Sequence, residues 1–319
     1  MSPEAGLKRV PNRLINYCVK ALAQSMTINI MVALARHIIP HYDLHQKTGI
    51  PRSVAIPNIT AAEQIVKDII SHQSFLDFVL LLVKTSDQGY MGRRYAIPYL
   101  RQLINGIIDL GYIYDTANDM FVENPQLRRT RNWGTLKNGH SYNFALLRLD
   151  IAGNSKLVKE CDDATIQSAY NDLREIVQLA VKRRNGRMWG WDGDGGLAAF
   201  FYGNKNQSAV LSGMEVLHEL FLYNYTRNPL SKPLQIRTAV HSGPMEYSEN
   251  EEDIRSAEIV KHVEELEHSY TKPGSLSLSE VVMAMLDHLL LSQLEEKRER
   301  GHRRFYVYST KKRPGSGAA

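Results

Sequence analysis

Two aspartate residues stand where a carboxylate is costly unless something binds it. Asp150 closes the apolar segment 142–151 (YNFALLRLDI), and Asp194 lies in a glycine-rich turn inside the segment 187–202. A carboxylate at the end of a buried strand needs a charged partner, a hydrogen-bond donor or a cation. Two such carboxylates on neighbouring strands are oxygen ligands of the kind that Mg²⁺ and Mn²⁺ prefer. We therefore predict a divalent-cation site at these two residues.

The residues that follow Asp150 are typical of a phosphate-binding turn. Gly153, Asn154 and Ser155 lead from the predicted strand into a predicted helix. Backbone N–H groups at a helix start point toward an anion and favour a phosphate. A metal-binding carboxylate followed by such a turn is a common arrangement for binding nucleoside triphosphates. Taken singly, Asp150 could instead be a helix cap and Asp194 an ordinary turn residue.

Alternating strands and helices between residues 142 and 310 would place both aspartates on one sheet. The hydrophobic pattern predicts strands at 142–151, 234–240, 274–279 and 304–309 and a hairpin at 187–202. Helices are predicted between them at 164–184, 208–225 and 253–269. The order β-α-β-β-α-β-α-β-α-β predicts an α/β (α+β) domain of the ferredoxin-like kind, with a mostly antiparallel sheet.

Residues 1–138 are predicted to form a separate, mostly helical domain. Helices are expected at 14–39, at 60–84 with Thr60 as the N-cap, and at 96–110, before a hairpin at 112–122. Helices followed by a hairpin are the order of a winged-helix module, and three arginines, Arg93, Arg94 and Arg101, lie around the start of its last helix.

The segment 128–141 is polar and basic, and it is predicted to link the two domains. The tail 311–319 is predicted to be disordered.

Composition and charge fit a globular chain. The 319 residues are 43% hydrophobic and carry a net charge of +5, and the excess positive charge lies in the first 140 residues. These basic residues could bind nucleic acid or form a solvated surface, and nucleic-acid binding is the less favoured interpretation. Without a long apolar run or a signal peptide, we expect a cytoplasmic protein with no membrane contact. Cys18 and Cys161 do not indicate a disulfide framework or a zinc site.

Four motifs, in order, resemble those of class III nucleotide cyclases, the catalytic domain of adenylate and guanylate cyclases. Residues 150–155 resemble the first metal-binding motif, Asp-Ile-x-Gly-x-Ser, and Gly-Asp-Gly at 193–195 resembles the second. The segments 236–244 (IRTAVHSGP) and 273–282 (PGSLSLSEVV) resemble two further segments of the family. The resemblance spans residues 142–310.

The resemblance implies two-metal catalysis on a nucleoside triphosphate. Asp150 and Asp194 would bind two divalent cations, Mn²⁺ or Mg²⁺, and the backbone carbonyl of Ile151 would complete one coordination shell. One ion would lower the pKa of the ribose 3′-hydroxyl, and the other would neutralise the triphosphate while the 3′-oxygen attacks the α-phosphorus. Sites in this family lie between two catalytic domains, so a homodimer is also implied.

The sequence departs from the family where the base is recognised and the transition state is stabilised. The purine-reading lysine of adenylate cyclases would fall at Gly190, and the family's transition-state Asn and Arg fall at Lys261 and Glu265. Because a glutamate cannot stabilise a negative transition state, Lys261 or the nearby Arg255 is the candidate catalytic cation. Lys261 could equally belong to a solvated helix face.

These departures are similar to those of the pyrimidine cyclases of bacterial Pycsar anti-phage systems, which keep the metal aspartates and change the base pocket. UTP, favoured over CTP, would then be the substrate, and its cyclic monophosphate would be the second messenger that the enzyme makes. Tyr142, eight residues before Asp150 and on the same strand face, is the candidate base contact, although it could be a core tyrosine. The alternatives are a purine cyclase with an altered base pocket, or an inactive, nucleotide-sensing regulator with a DNA-binding winged helix.

Overall fold

The computed structural model describes residues 9–116, 118–298 and 304–310. The chain divides into two compact units, with the boundary between Lys137 and Asn138. The tail 311–319, for which disorder is predicted, lies outside the described residues. No helix in the described ranges has the length and apolar character that crossing a membrane requires.

The described part of the N-terminal unit is helical and ends in a short antiparallel hairpin. Its elements are α1 (Asn12–Ser25), α2 (Ile28–Ile38), α3 (Leu44–Thr48), α4 (Asn58–Ser71), α5 (Phe75–Gln88), α6 (Leu100–Asp109), β1 (Tyr112–Asp115) and β2 (Met120–Glu123). The pairing of Tyr112 with Glu123 confirms the predicted hairpin. A buried core formed by residues such as Leu22, Ile65 and Phe78 joins the helices.

Three local predictions for this unit are wrong. The single helix expected at 14–39 is broken between α1 and α2, where Met26 is extended. The helix α4 begins at Asn58 after Pro57, so Thr60 lies inside it and is not its N-cap. Proline fixes its own φ near the value that a helix entry needs, which explains the earlier start. Gln73, at φ +55°, breaks the expected helix at 60–84 into α4 and α5.

The segment after β2 is packed rather than a loose linker. Trp133 and Leu136 are fully buried. The carboxylate of Glu123 accepts hydrogen bonds from the backbone N–H groups of Arg129 and Thr130, at 2.9 and 3.3 Å. The composition of this segment is polar, but a few large apolar residues are sufficient to fold it onto the hairpin.

The C-terminal unit is built on a mixed, mostly antiparallel sheet with helices on its faces. Its strands are β3 (Ser141–Ile151), β4 (Arg187–Asp192), β5 (Gly195–Phe200), β6 (Ile236–Glu246), β7 (Ser275–Ser279), β8 (Glu295–Arg298) and β9 (Arg304–Ser309). In the described residues the strand order is β4-β5-β3-β6-β7-β9-β8, and only the β6–β7 pair is parallel. The α+β fold class is thereby confirmed.

The helices connect these strands. They are α7 (Asn154–Glu160), α8 (Asp163–Arg183), α9 (Lys205–Thr226), α10 (Glu251–Ser256), α11 (Glu258–Glu265), α12 (Glu280–Met283) and α13 (His288–Leu291), with a π-helix at Leu266–Tyr270. The single helix expected at 253–269 is therefore three segments. The predicted order also lacked β8, and it counted one helix for α7 and α8 and one for α12 and α13, because short elements leave little periodic pattern in a sequence.

The two faces of β3 have different surroundings. Leu147, Leu149 and Ile151 lie in the apolar core with residues of α8 and α9. Residues at even positions point to the opposite face, because side chains alternate along a strand. On that face α11 and the π-helix pack against β3 and β6. Asp150 lies on this second face, and it is there that the candidate site forms.

Candidate functional site

Strand pairing brings the two predicted metal ligands together at one end of the strands β3 and β5. In the β3–β5 ladder Asp150 is paired with Gly195, the residue that follows Asp194 in the hairpin turn. Both aspartates affect the hydroxyl of Tyr170 on α8. Burial raises the pKa of Tyr170, and the carboxylates of Asp194 and Asp150 raise it further. Both side chains are partly buried, and that of Asp150 is 20% exposed.

A glycine at position 195 is required by this approach. A side-chain carbon there would lie 2.9 Å from the carbonyl oxygen of Leu149, 3.4 Å from Oδ1 of Asp150 and 3.6 Å from Nη2 of Arg148. The first of these atoms belongs to the backbone of the neighbouring strand and has little freedom to move. Gly195 therefore lets the hairpin lie directly beside Asp150.

The predicted phosphate turn follows Asp150 directly. Gly153 has a φ of +75° and precedes the first residue of α7, Asn154, whose side-chain oxygen accepts a hydrogen bond from Tyr170. Gly153 and Ser155 are exposed. The side chain of Ile151 is buried in the core, and this fixes the strand end from which the turn departs. The turn and the two aspartates thus share Tyr170 as a common neighbour.

An arginine that the sequence analysis missed binds Asp150. Nη2 of Arg237, on β6, donates to Oδ2 of Asp150 at 2.5 Å. Its Nε lies 2.7 Å from Oε1 of Glu267, an ion pair whose alignment falls short of a hydrogen bond. Burial raises the pKa of the Glu267 carboxyl, and Asp150 adds to the rise, although Arg237 opposes it. Glu267 and Asp150 therefore hold one guanidinium between them.

A second unpredicted arginine lies on the same strand face. Arg148 is two residues before Asp150, and its Nη2 lies 3.7 Å from Oε1 of Glu264 on α11. The sequence did contain a signal: a charged residue in an otherwise apolar strand, at a spacing that puts it beside Asp150. We refer to Arg148, Asp150, Arg237, Glu264 and Glu267 as the ionic cluster.

The donor set fits a hard cation that is shared with a substrate. In the part of the chain that the structure describes, no three His, Cys, Asp or Glu side chains converge as a metal site. Two carboxylates and a backbone carbonyl leave coordination positions for water and phosphate oxygens. Mg²⁺ is often bound in this way, through one or two carboxylates plus substrate phosphates.

The two candidate catalytic cations lie in exposed ion pairs. Nζ of Lys261 lies 3.0 Å from Glu258 on its own helix. Nη1 of Arg255 lies 3.0 Å from Oδ2 of Asp192, two residues before Asp194, so Arg255 contacts the hairpin. Their catalytic roles stay predictions.

Tyr142 lies at the opposite end of β3 from Asp150. Eight residues at about 3.4 Å each separate their Cα atoms by about 27 Å. The ring of Tyr142 makes T-shaped contacts with Phe144 and Phe201, at centroid distances of 6.3 and 5.5 Å. Within one chain Tyr142 does not reach the two aspartates, and its contact with a base stays a prediction. We refer to Tyr142, Phe144, Trp189, Phe201 and Tyr247 as the aromatic cluster.

No family model matches the sequence, and no curated protein sequence matches it significantly. Similar solved structures include the guanylate cyclase domain of RhGC from Catenaria anguillulae in complex with GTP, with 14% identity over 54% of this chain and 100% of that chain and a TM-score of 0.44. The adenylyl cyclase CyaB from P. aeruginosa has 16% identity over 55% of this chain and 97% of that chain, with a TM-score of 0.45. An adenylate/guanylate cyclase/hydrolase from Silicibacter pomeroyi has 19% identity over 54% of this chain and 99% of that chain, with a TM-score of 0.44.

Proposed function

We propose that the C-terminal unit is a nucleotide cyclase that converts a nucleoside triphosphate into its 3′,5′-cyclic monophosphate and pyrophosphate. The observation that carries the proposal is the pairing of Asp150 with Gly195, which sets the Asp194 turn beside Asp150 and the 153–155 turn. Two carboxylates next to a phosphate-binding turn are what a metal–triphosphate complex requires. The four sequence motifs that resemble class III cyclases support the same function.

Each part of this site has a role in the proposed reaction. Asp150, Asp194 and the carbonyl of Ile151 would hold two divalent cations, Mn²⁺ or Mg²⁺, which supply charge neutralisation and activation of the ribose hydroxyl. Gly153, Asn154 and Ser155 would bind phosphate oxygens. The 3′-oxygen forms a bond to the α-phosphorus, the bond from that phosphorus to the bridging oxygen of the β-phosphate breaks, and pyrophosphate leaves. The hydroxyl proton passes to solvent.

Arg237 would keep Asp150 in place for this chemistry. Its guanidinium is held by Glu267 on the other side, and the carboxylate of Asp150 therefore has a fixed orientation before substrate arrives. The same guanidinium is a cation beside the position where phosphate would bind, and arginine is well suited to phosphate oxygens.

We further propose a pyrimidine substrate, with UTP favoured over CTP. Gly190 has no side chain to read a purine, and among the described residues none except its chain neighbours has an atom within 4 Å of where its Cβ would be. The space there is open rather than filled by another base-reading group. By analogy with Pycsar systems, the product would be an anti-phage second messenger made in the cytoplasm, and a homodimer would complete the site.

The test is an incubation of the purified protein with each of the four nucleoside triphosphates and Mn²⁺, with the products separated by chromatography and identified by mass. We expect cyclic UMP as the main product. Asp194→Asn should remove activity and leave the fold intact, whereas Asp163→Asn, at an exposed carboxylate in the first turn of α8, should not. A cyclic purine product would establish the purine alternative. Absence of any cyclic product from folded protein would rule out a nucleotide cyclase.

The remaining alternative is a nucleotide-sensing regulator that binds DNA through its N-terminal unit. Arg93, Arg94 and Arg101 are exposed, as such contacts would require. Binding to duplex DNA with a steep salt dependence would support it, because each phosphate contact releases counterions. Binding that is absent at low salt would exclude it.

A further inference from the structure

We propose that Arg148 is the cation that contacts the triphosphate and its transition state, in place of the arginine that the chain lacks at Glu265. The inference rests on the proposed cyclase function and names a further catalytic residue for it. It follows from the position, the burial and the hydrogen bonding of the Arg148 side chain.

The position of Arg148 is set by the strand. Arg148 and Asp150 are two residues apart on β3 and point to the same face of the sheet. Both side chains also lie against Gly195: a carbon at that position would be 3.6 Å from Nη2 of Arg148 and 3.4 Å from Oδ1 of Asp150. A triphosphate bound through cations at Asp150 and Asp194 would therefore have the Arg148 guanidinium on the same side of the hairpin.

The hydrogen bonding of Arg148 is incomplete. Its Nε is buried, and no acceptor for it is found in the described part of the chain. Its ion pair with Glu264 is long at 3.7 Å, and the side chain is only 24% exposed. A buried N–H donor without an acceptor is costly, so the side chain gains most from an anion that enters the cluster. Guanidinium groups often bind phosphate oxygens through two N–H donors at once, and Nε with Nη2 of Arg148 is such a pair of donors.

Other cations near the site are less suitable. Lys261 is 56% exposed and paired with Glu258, and Arg255 is 55% exposed and paired with Asp192. A charge that is open to water stabilises a transition state much less than one in a partly buried site. Arg237 is already held by two carboxylates at 2.5 and 2.7 Å. Arg148 combines partial burial with a weak existing partner.

In the proposed step Arg148 exchanges no proton and forms no covalent bond. Its N–H groups would donate to non-bridging phosphate oxygens while the 3′-oxygen bonds to the α-phosphorus and the bond to the leaving pyrophosphate breaks. Negative charge increases on the pyrophosphate oxygens during this step, and a fixed guanidinium lowers its energy. Glu264 would hold Arg148 until the substrate competes for it.

The experiment compares Arg148→Ala, Arg148→Lys and a matched control, Arg183→Ala, in turnover and in binding. The control removes a 60% exposed arginine whose partner, Glu215, keeps a second one in Arg184. We expect Arg148→Ala to lower kcat about 100-fold or more with a smaller change in KM, and Arg148→Lys to recover part of the loss. The control should stay within about twofold of the unmodified protein. Circular dichroism and thermal unfolding establish that each variant is folded, and folded Arg148→Ala that keeps wild-type kcat overturns the proposal.

A binding measurement separates this proposal from the cyclase function itself. Calorimetric titrations use UTP and UMP, and then the other three triphosphates, in the presence of Ca²⁺. We expect Arg148→Ala to weaken UTP binding at least about tenfold and UMP binding by less than about twofold, because the contact is with the terminal phosphates. If the unmodified protein makes no cyclic product but shows this difference, the cyclase function fails and the Arg148 contact stands. Equal affinities in the variant and the unmodified protein, or no triphosphate binding at all, overturn the contact.

Discussion

The two ends of β3 present the same strand face to opposite environments. At the first end Phe144 lies in the aromatic cluster, with its ring 4.8 Å from that of Trp189 in a T-shaped arrangement. At the second end Asp150 lies in the ionic cluster and is bound by Arg237. The residues that β3 contributes to the two clusters are all even-numbered, so the alternation of side chains along β3 does not distinguish its two ends. What differs is what the neighbouring elements bring: aromatic rings at one end, and charged groups of β6, α11 and the π-helix at the other.

A bulge in β4 creates part of this difference. The β4–β5 register shifts between Met188 and Gly190, so Trp189 and Trp191 do not point to the same face as residues two apart normally would. Trp189 joins the aromatic cluster, whereas Trp191 packs against the apolar core on the other face. One extra residue in an edge strand thus supplies the ring that covers the first end of β3.

The largest effect on turnover should come from a substitution in the ionic cluster at the second end of β3. Asp150→Asn keeps the size of the side chain and removes its charge, so we expect turnover to fall at least about 10³-fold because a metal ligand is lost. Arg237 keeps Glu267 as a partner, and the fold should therefore persist. The measurement is initial velocity with the preferred triphosphate and Mn²⁺, beside a thermal unfolding curve. Turnover within tenfold of the unmodified protein would remove Asp150 from the metal site.

A substitution in the aromatic cluster should change the stability of the domain rather than its turnover. Phe144→Ala deletes a fully buried ring, and we expect it to lower the free energy of unfolding by about 3–5 kcal/mol. Chemical denaturation of the C-terminal transition measures this loss. Phe144→Leu fills more of the space and should cost less. If either variant lost turnover at temperatures where it is still folded, the two ends would be coupled rather than separate.

Two glycines beside the ionic end should differ sharply. Gly195→Ala would bring a carbon 2.9 Å from the backbone oxygen of Leu149, and we expect a loss of about 1–3 kcal/mol in stability together with reduced turnover. Gly190→Ala is the matched control for stability on the neighbouring strand, because open space surrounds its Cβ position. Denaturation midpoints of both variants make the comparison, and the initial velocity of Gly195→Ala is compared with that of the unmodified protein. A Gly195→Ala protein that behaves like the control would show that the hairpin need not lie so close to Asp150.

The smallest effect should come from Tyr142. Tyr142→Leu removes T-shaped contacts with Phe144 and Phe201, each worth about 0.5–1.5 kcal/mol beyond burial. We expect lower stability and an unchanged ratio of rates with UTP and GTP, because the ring is far from Asp150 in its own chain. Parallel assays with the two triphosphates measure the ratio. A changed ratio would instead support the predicted base contact, made by Tyr142 through a second copy of the chain.

Long periodic elements could be predicted from the sequence, and so could the pair of aspartates. The strand that contains Asp150 is marked by a nearly continuous apolar run and the helix α8 by an apolar pattern of period 3.6, and both lie within a residue or two of their expected limits. The Asp194 turn could be placed because glycines mark it. These features depend on local sequence alone, and local sequence is what a pattern records.

The ionic cluster could not be predicted, because its members come from β3, β6, α11 and the π-helix, which are distant in the chain. Arg237 and Glu267 look like ordinary surface charges in the sequence, and only strand pairing sets the first of them opposite Asp150. Tyr142 shows what a pattern of alternation leaves open, and its contact with a base stays a prediction. Alternation gave its face correctly, but the length of the strand puts it at the far end.

The parallel pairing of β6 with β7 has a consequence for the order in which the domain assembles. Parallel neighbours need a long crossover connection, and here α10, α11 and the π-helix are that connection. Glu264 and Glu267 are therefore carried on a chain segment whose closure entropy must be overcome before β7 pairs. We expect β3, β5 and β6 to gain amide protection before β7 in pulse-labelled refolding. Asp150 would then meet Arg237 before either glutamate arrives, so its carboxylate has a cationic partner as soon as β3 and β6 pair.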